Sequence, residues 1–299
     1  MEINIKKALI ASAASLSALF CSAQQDLMVS QQIFSRINVN PAGTGNNKGC
    51  DAFLLGRIQW AGVDNSPKTG LLNFTAYSEN VKSSFGATVN YDNLGVGNSQ
   101  TNAQAVYAYH IDLNPKYILS LGISAGFNVG SFDPYKNTLK DDSEIGKSTY
   151  VKDKTTEISP DFNAGAEISS EHWMAGFSCT HLLNDTSTTF RKGRHFYVYG
   201  RGFFNITHNF DLAPLISYMH KHNTNTTEIG CQAFFKKMIW GGVAWKPDFN
   251  RFSEMQMMSI TAGFEWANRF RFGYSYDMNF GKYNNLPSNT HEIMLSAHF

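Results

Sequence analysis

The residues best suited to acid–base or metal chemistry in this chain are its nine histidines. His220-Lys221-His222 sets two imidazoles two positions apart, which on a strand places them on one face. No carboxylate or further ligand stands nearby in sequence, so an exposed loop end is the simpler reading. His172, His181, His195 and His208 fall near the ends of strand-like runs, where a polar ring suits a boundary with water. Asp141, Asp142 and Glu144 form an acidic cluster that calcium could enter, but the EF-hand spacing is absent and a solvated loop accounts for it. Gly95-Val96-Gly97 has the spacing of a turn, without the strand–helix setting that cradles phosphate. No G-x-S-x-G or H-E-x-x-H motif occurs. The sequence therefore points to no catalytic residues, no metal and no cofactor.

Whatever positions these side chains must do so outside the reducing cytoplasm. Met1 to Ala23 has the make-up of a secretory signal: Lys6 and Lys7, an apolar or small stretch from Ala8 to Phe20, then Cys21-Ser22-Ala23 with small residues at −3 and −1 of a cut before Gln24. Phe20 is too bulky for a lipoprotein signal built on Cys21. Three cysteines would remain, Cys50, Cys179 and Cys231. An odd number cannot form a closed disulfide framework, and no zinc spacing is present. Cys179 and Cys231 lie in strand-like runs and read as small apolar packing residues.

Composition narrows the class further. Of 299 residues, 16% are charged and 14% aromatic, with 24 Gly and 8 Pro. Disordered chains show the opposite balance. Lys plus Arg is 25 against 24 Asp plus Glu. That balance leaves no basic surplus to neutralise phosphates, so a nucleic-acid partner is not expected. No apolar run reaches the ~18 residues of a transmembrane helix.

Period-two alternation runs along the chain instead. Leu119, Leu121, Ile123, Ala125, Phe127 and Val129 alternate with Ser120, Gly122, Ser124, Gly126, Asn128 and Gly130. Phe270, Phe272, Tyr274 and Tyr276 share one face, opposite Arg271, Ser275 and Asp277. Met258, Ile260, Ala262, Phe264 and Trp266 form another apolar row. Tyr197 to Phe204 is less clean, with aromatics on both faces. About fourteen such runs begin near Asp51, Gly70, Lys82, Thr101, Tyr117, Glu157, His172, Arg191, Asn209, Asn225, Met238, Met255, Asn268 and Asn289, each uncertain by about 2–4 residues.

Connections supply an independent test. Short turns fall at Glu79-Asn80-Val81, Asn114-Pro115, Ser170-Glu171, Ile206 to His208, Lys236-Lys237 and Ala267. The intervening links are mostly longer, as at Asp64 to Thr69, Asn93 to Gln100, Asp133 to Thr156, Leu183 to Phe190, Pro247 to Glu254 and Gly281 to Ser288. A transmembrane up-and-down barrel is expected to show this alternation of short periplasmic turns and longer outer loops, whereas a soluble sandwich has no reason to produce it. The expectation is an all-β, antiparallel, outer-membrane barrel over residues 51–299, with apolar faces toward lipid and polar faces toward a wet lumen. Residues 24–50 would be a periplasmic or lumen-plugging segment. The last strand ends on Phe299, with Ile293, Leu295, Ala297 and Phe299 on one face. This ending is similar to the assembly signal of bacterial outer-membrane barrels.

At several points the residues resemble the PorP/SprF family of type IX secretion outer-membrane proteins. Asn38 to Ala42, ending Asn40-Pro41-Ala42, is similar to the family's opening. Arg57-Ile58-Gln59-Trp60-Ala61-Gly62 followed by Ser66-Pro67-Lys68-Thr69 resembles its R-x-Q-W-x-G signature. Pro160-Asp161-Phe162-Asn163-Ala164-Gly165 resembles its middle block, and Phe272 to Asp277 with His291 to Leu295 its ending. Gly43 departs from the usual aromatic, and Asn65-Ser66 from the usual Gly-Ala. Asn40, Pro41, Gln59, Trp60, Gly62, Pro67, Asp161 and Phe162 are thus the candidates for partner contact. Four of them also have an architectural reading: Asn40-Pro41 as a turn, Trp60 as an interfacial anchor, Pro67 in a loop where its missing N–H costs nothing.

The resemblance implies a non-enzymatic role in type IX secretion and gliding motility. Implied partners are secreted cargo bearing a type IX C-terminal sorting domain, such as surface adhesins, and periplasmic ring or peptidoglycan-binding components, besides membrane lipid. The alternative is a diffusion channel or small-solute transporter, since fourteen strands can enclose a pore. A barrel enzyme would need His and acidic residues converging at one rim, with His181 and His195 the residues to test.

Overall fold

The computed structural model describes residues 29–45, 49–95, 97–133, 154–183, 190, 192–221, 224–247, 256–280 and 289–299. The proposed signal, the acidic cluster at 141–144 and most of the longer outer loops lie outside these residues. Fifteen strand segments follow one another: β1 Cys50–Ile58, β2 Lys68–Ser78, β3 Ser83–Gly95, β4 Asn98–Asn114, β5 Tyr117–Phe132, β6 Thr155–Ser169, β7 Trp173–Thr180, β8 His195–Gly202, β9 Phe204–Thr207, β10 Phe210–Lys221, β11 Thr224–Phe235, β12 Ile239–Pro247, β13 Gln256–Trp266, β14 Phe270–Asn279 and β15 Thr290–His298. β8 and β9 both pair with β10 and are two pieces of one stave broken at Phe203. The fold is therefore a closed antiparallel barrel of fourteen strands. Closure is made by β1 on β15, from Asp51 opposite His298 to Ile58 opposite His291. With the ring shut, no strand offers an unpaired edge to lipid, where unmet backbone groups are costly.

Alternation decides what each stave shows to lipid. In β5, Ile123 is 61% and Phe127 50% exposed, while Ser120, Ser124 and Asn128 between them are buried in the interior. Phe264, Trp266, Phe272 and Tyr274 are likewise exposed. The same pattern runs along β15, where Ile293 and Leu295 face out and Glu292 and Met294 face in. The strand starts agree with the sequence to within the stated margin. The largest offset is at β8, which begins at His195 rather than Arg191.

Two expectations need amendment. The link expected over Asn93 to Gln100 is shorter, because β3 runs on to Gly95 and β4 starts at Asn98. Gly95 and Gly97 have φ of 84° and 78°, which lets the chain reverse tightly there. The lumen is also not purely polar. Val29, Phe53, Leu55, Leu71, Trp240 and Met294 form a buried apolar cluster, with Phe34 and Phe234 packed against it. Val39, Tyr197 and Met219 form a second cluster. The inward tyrosine explains why the Tyr197 to Phe204 run carries aromatics on both faces.

The cause is the segment before β1. Residues 29–45 lie inside the ring, folded into three 3-10 turns at Gln32–Phe34, Arg36–Asn38 and Pro41–Gly43. Val29, Ile37, Val39, Ala42 and Thr44 are buried against the barrel wall. A Cβ on Gly122 would stand 2.2 Å from the Ala42 nitrogen. On Gly165 it would stand 2.1 Å from Asn40 Oδ1. Glycine at both positions is what allows the segment to touch the wall.

Candidate functional site

Three polar anchors hold the segment or line the lumen around it. The first is charged. The Ser30 and Gln31 amides donate to Glu292 at 3.0 and 2.8 Å, and Ser30 Oγ donates to Asp277 Oδ1 at 2.7 Å. Arg57 bridges both carboxylates, at 2.9 Å to Glu292 and 2.8 Å to Asp277. Lys246 donates to Ser30 Oγ at 2.9 Å and lies 4.0 Å from Glu228. These charges come from β1, β11, β12, β14 and β15, one from each inner face. They are almost fully removed from solvent, so each depends on its partners to offset lost hydration.

The second anchor grips the middle of the segment. Arg36 pairs with Glu167 of β6 at 3.0 Å, and Tyr199 of β8 also donates to Glu167. Asn40 performs two tasks at once. Its Oδ1 accepts from the Ala42 amide at 2.9 Å, capping the turn that Pro41 begins. Its Nδ2 donates to the Ala166 carbonyl at 3.0 Å and to the Tyr199 hydroxyl at 3.1 Å. Ser178 donates to the Val39 carbonyl. Buried hydrogen bonds of this density fix one position for the segment, since any slip would strand polar groups.

The third lies in the outer half of the lumen. Asp161 Oδ2 accepts from Asn102 Nδ2 and Gln104 Nε2, each at 2.7 Å. Its Oδ1 is 2.8 Å from His181 Nδ1, and the His181 amide donates to Asn163 Oδ1 at 2.8 Å. The His181 and His195 rings meet edge-on, 5.3 Å between centroids. This is the convergence of His and acid that a barrel enzyme would need. It is set among carboxamides that also bond the carboxylate. Among the described residues no group of three or more His, Cys, Asp or Glu could hold a metal ion.

The structure separates the sequence candidates into distinct places. Asn40 and Pro41 are buried in the lumen. Gln59, Trp60, Gly62 and Pro67 lie together in the outer β1–β2 loop, closed by the Gln59 amide donating to the Pro67 carbonyl at 2.9 Å. Trp60 is 48% exposed there. Asp161 points into the lumen, while its neighbour Phe162 faces outward. Cys50, Cys179 and Cys231 are free thiols, half-buried. Sequence reasoning missed Ser30, Arg36, Arg57, Glu167, Tyr199, Asp277 and Glu292. A signal was present: charged residues at inward positions of strands, of both signs, which have no reason to sit there without counter-charges.

An outer-membrane β-barrel is the class of protein that this fold defines. The sequence profile of the family described as type IX secretion system membrane protein PorP/SprF matches residues 21–297, and the chain belongs to that family. Among solved structures, the outer membrane protein Omp33 of Acinetobacter baumannii is 9% identical, with a TM-score of 0.52, over 86% of this chain and 100% of that one. The toluene transporter TodX of P. putida is 8% identical, with a TM-score of 0.53, over 87% and 93%. At such identity these likenesses establish the outer-membrane barrel fold alone. No curated protein matches the sequence.

Proposed function

We propose that this protein is a non-enzymatic docking barrel of type IX secretion, fixed in the bacterial outer membrane after removal of a signal near Ala23. The observation that carries this reading is residues 29–45 anchored across the lumen. A barrel whose interior is filled by its own chain is suited to present surfaces at its two ends, rather than to pass solutes. The outer loops, with Gln59, Trp60, Gly62 and Pro67 at one of them, would meet cargo carrying a C-terminal sorting domain. The periplasmic turns would meet ring or peptidoglycan-binding components. The outward apolar row of Ile293, Leu295 and Phe299 would serve barrel assembly. The Asp161–His181 pair has an architectural role in this reading, so His181→Ala should leave cargo display intact.

Native co-purification in mild detergent tests the proposal. Secretion components and cargo should elute with the barrel. Deleting residues 136–151, within the loop expected over 133–156 and clear of β5 and β6, should spare membrane insertion and reduce the cargo retained on the cell surface. Unchanged cargo display after that deletion would remove the docking role from this loop, and a barrel eluting alone would count against docking altogether. The channel reading rests on the fold shared with the toluene transporter TodX, and the segment across the lumen opposes it.

A further inference from the structure

Beneath the lumen-filling segment, on the side of the short turns, a cavity of about 1130 Å³ opens toward the periplasm. It is of the size that takes a drug-sized molecule or a short stretch of peptide. Phe34, Tyr117, Trp173, Phe203 and Phe234 contribute aromatic rings to its wall. Its wall carries charges of both signs, Asp51, Glu171, Asp211 and Glu265 among them, and two of its cations are already paired. Arg36 is bound to Glu167, and Arg271 to Glu265 at 2.5 Å.

Arg201 is different. It lies on the inner face of β8, with its guanidinium carbon 4.5 Å from the Phe203 ring centroid and 6.0 Å from that of Phe234. Among the described residues its one polar contact is Nη2 donating to Gln232 Oε1 at a long 3.3 Å, and its Nε is buried with no hydrogen-bond partner among them. Among the described residues it forms no ion pair, in contrast to Arg36 and Arg271. A half-buried cation that lines the cavity and makes one long hydrogen bond keeps donors free for an anion entering there. Guanidinium planes stacked on rings present their edge to a carboxylate in a two-point fork.

We propose that this vestibule binds an acidic peptide segment presented from the periplasmic side, its carboxylate forked on Arg201 and its neighbouring apolar side chains against Phe34, Phe203 and Phe234. The mouth is framed by the β4–β5, β6–β7 and β9–β10 turns, where a segment on the periplasmic side can reach it. The inference rests on the docking reading for its orientation and deepens it by naming what the periplasmic end recognises.

The test uses the full mature chain in detergent and titration calorimetry with three probes: acetyl-Phe-Glu-Phe-amide, its Gln counterpart, and phenylacetate. The Glu peptide should bind about tenfold tighter than the Gln peptide, the worth of one charge-assisted fork. Arg201→Gln should abolish that preference. Arg201→Lys, which keeps the charge but not the fork, should retain part of it. Heat-modifiable gel mobility checks that each variant is a folded barrel, and Gln232→Leu provides a second, milder perturbation: by removing the acceptor that Arg201 Nη2 now uses, it should keep or raise the preference, and its loss there would overturn the proposal. Equal affinity for the two peptides, or an undiminished preference in Arg201→Gln, overturns the proposal. Phenylacetate binding as tightly as the Glu peptide would assign the site to small aromatic acids and overturn the peptide. Failure of native co-purification would sink the docking reading while leaving these affinities standing, so the two failures are distinguishable.

Discussion

Glu292 shows most clearly how single residues hold this interior together. Its two oxygens accept from the Ser30 and Gln31 amides, and one also receives Arg57 at 2.9 Å. Glu292→Gln would leave Arg57 with one counter-charge instead of two and force an amide against two backbone donors. Breaking such a buried pair costs about 3–5 kcal/mol. The temperature at which the barrel loses its compact gel mobility should fall accordingly, whereas a change at the exposed Lys82–Asp112 pair should leave it nearly unmoved. His110 shows the same economy without charge: its two ring nitrogens sit 2.7 Å from Ser84 and Ser120 Oγ. That pairing was illegible in the sequence, because the three residues are far apart and meet only through the registers of β3, β4 and β5.

At the scale of elements, β5 offers a controlled contrast between adjacent positions. Ile123 faces lipid and Gly122 faces the segment. Ile123→Arg places a charge near the bilayer midplane and should cost about 2–4 kcal/mol, read as reduced folded barrel in the outer membrane. Gly122→Phe should leave the barrel folded but displace residues 41–42, read as new protease cleavage within 29–45. The two outcomes would exchange if the strand were shifted by one residue, which makes them a test of register. Fourteen staves were legible beforehand because alternation is written locally in each strand. The tight β3–β4 reversal was not, because a bulge at Asn93/Gly95 and two positive-φ glycines shorten a link whose composition reads as loop.

For the whole molecule, the filled lumen governs behaviour. The intact barrel should show little steady conductance in planar bilayers, and deleting residues 29–45 should raise it several-fold. A large, stable conductance from the intact chain would instead favour the channel reading. The sequence by itself determined the class of the fold, since outward grease, inward polarity and alternating turn lengths are properties of consecutive residues. It also carried the family likeness through Arg57 to Thr69 and the closing strand. Only the tertiary structure decided what occupies the interior. Whether Ser30 meets Asp277, or Asn40 meets Tyr199, depends on closing a ring whose first and last strands lie more than two hundred residues apart. Contacts across that distance leave no periodic trace in either partner. The charges that make them become legible as anchors only when the barrel brings them face to face.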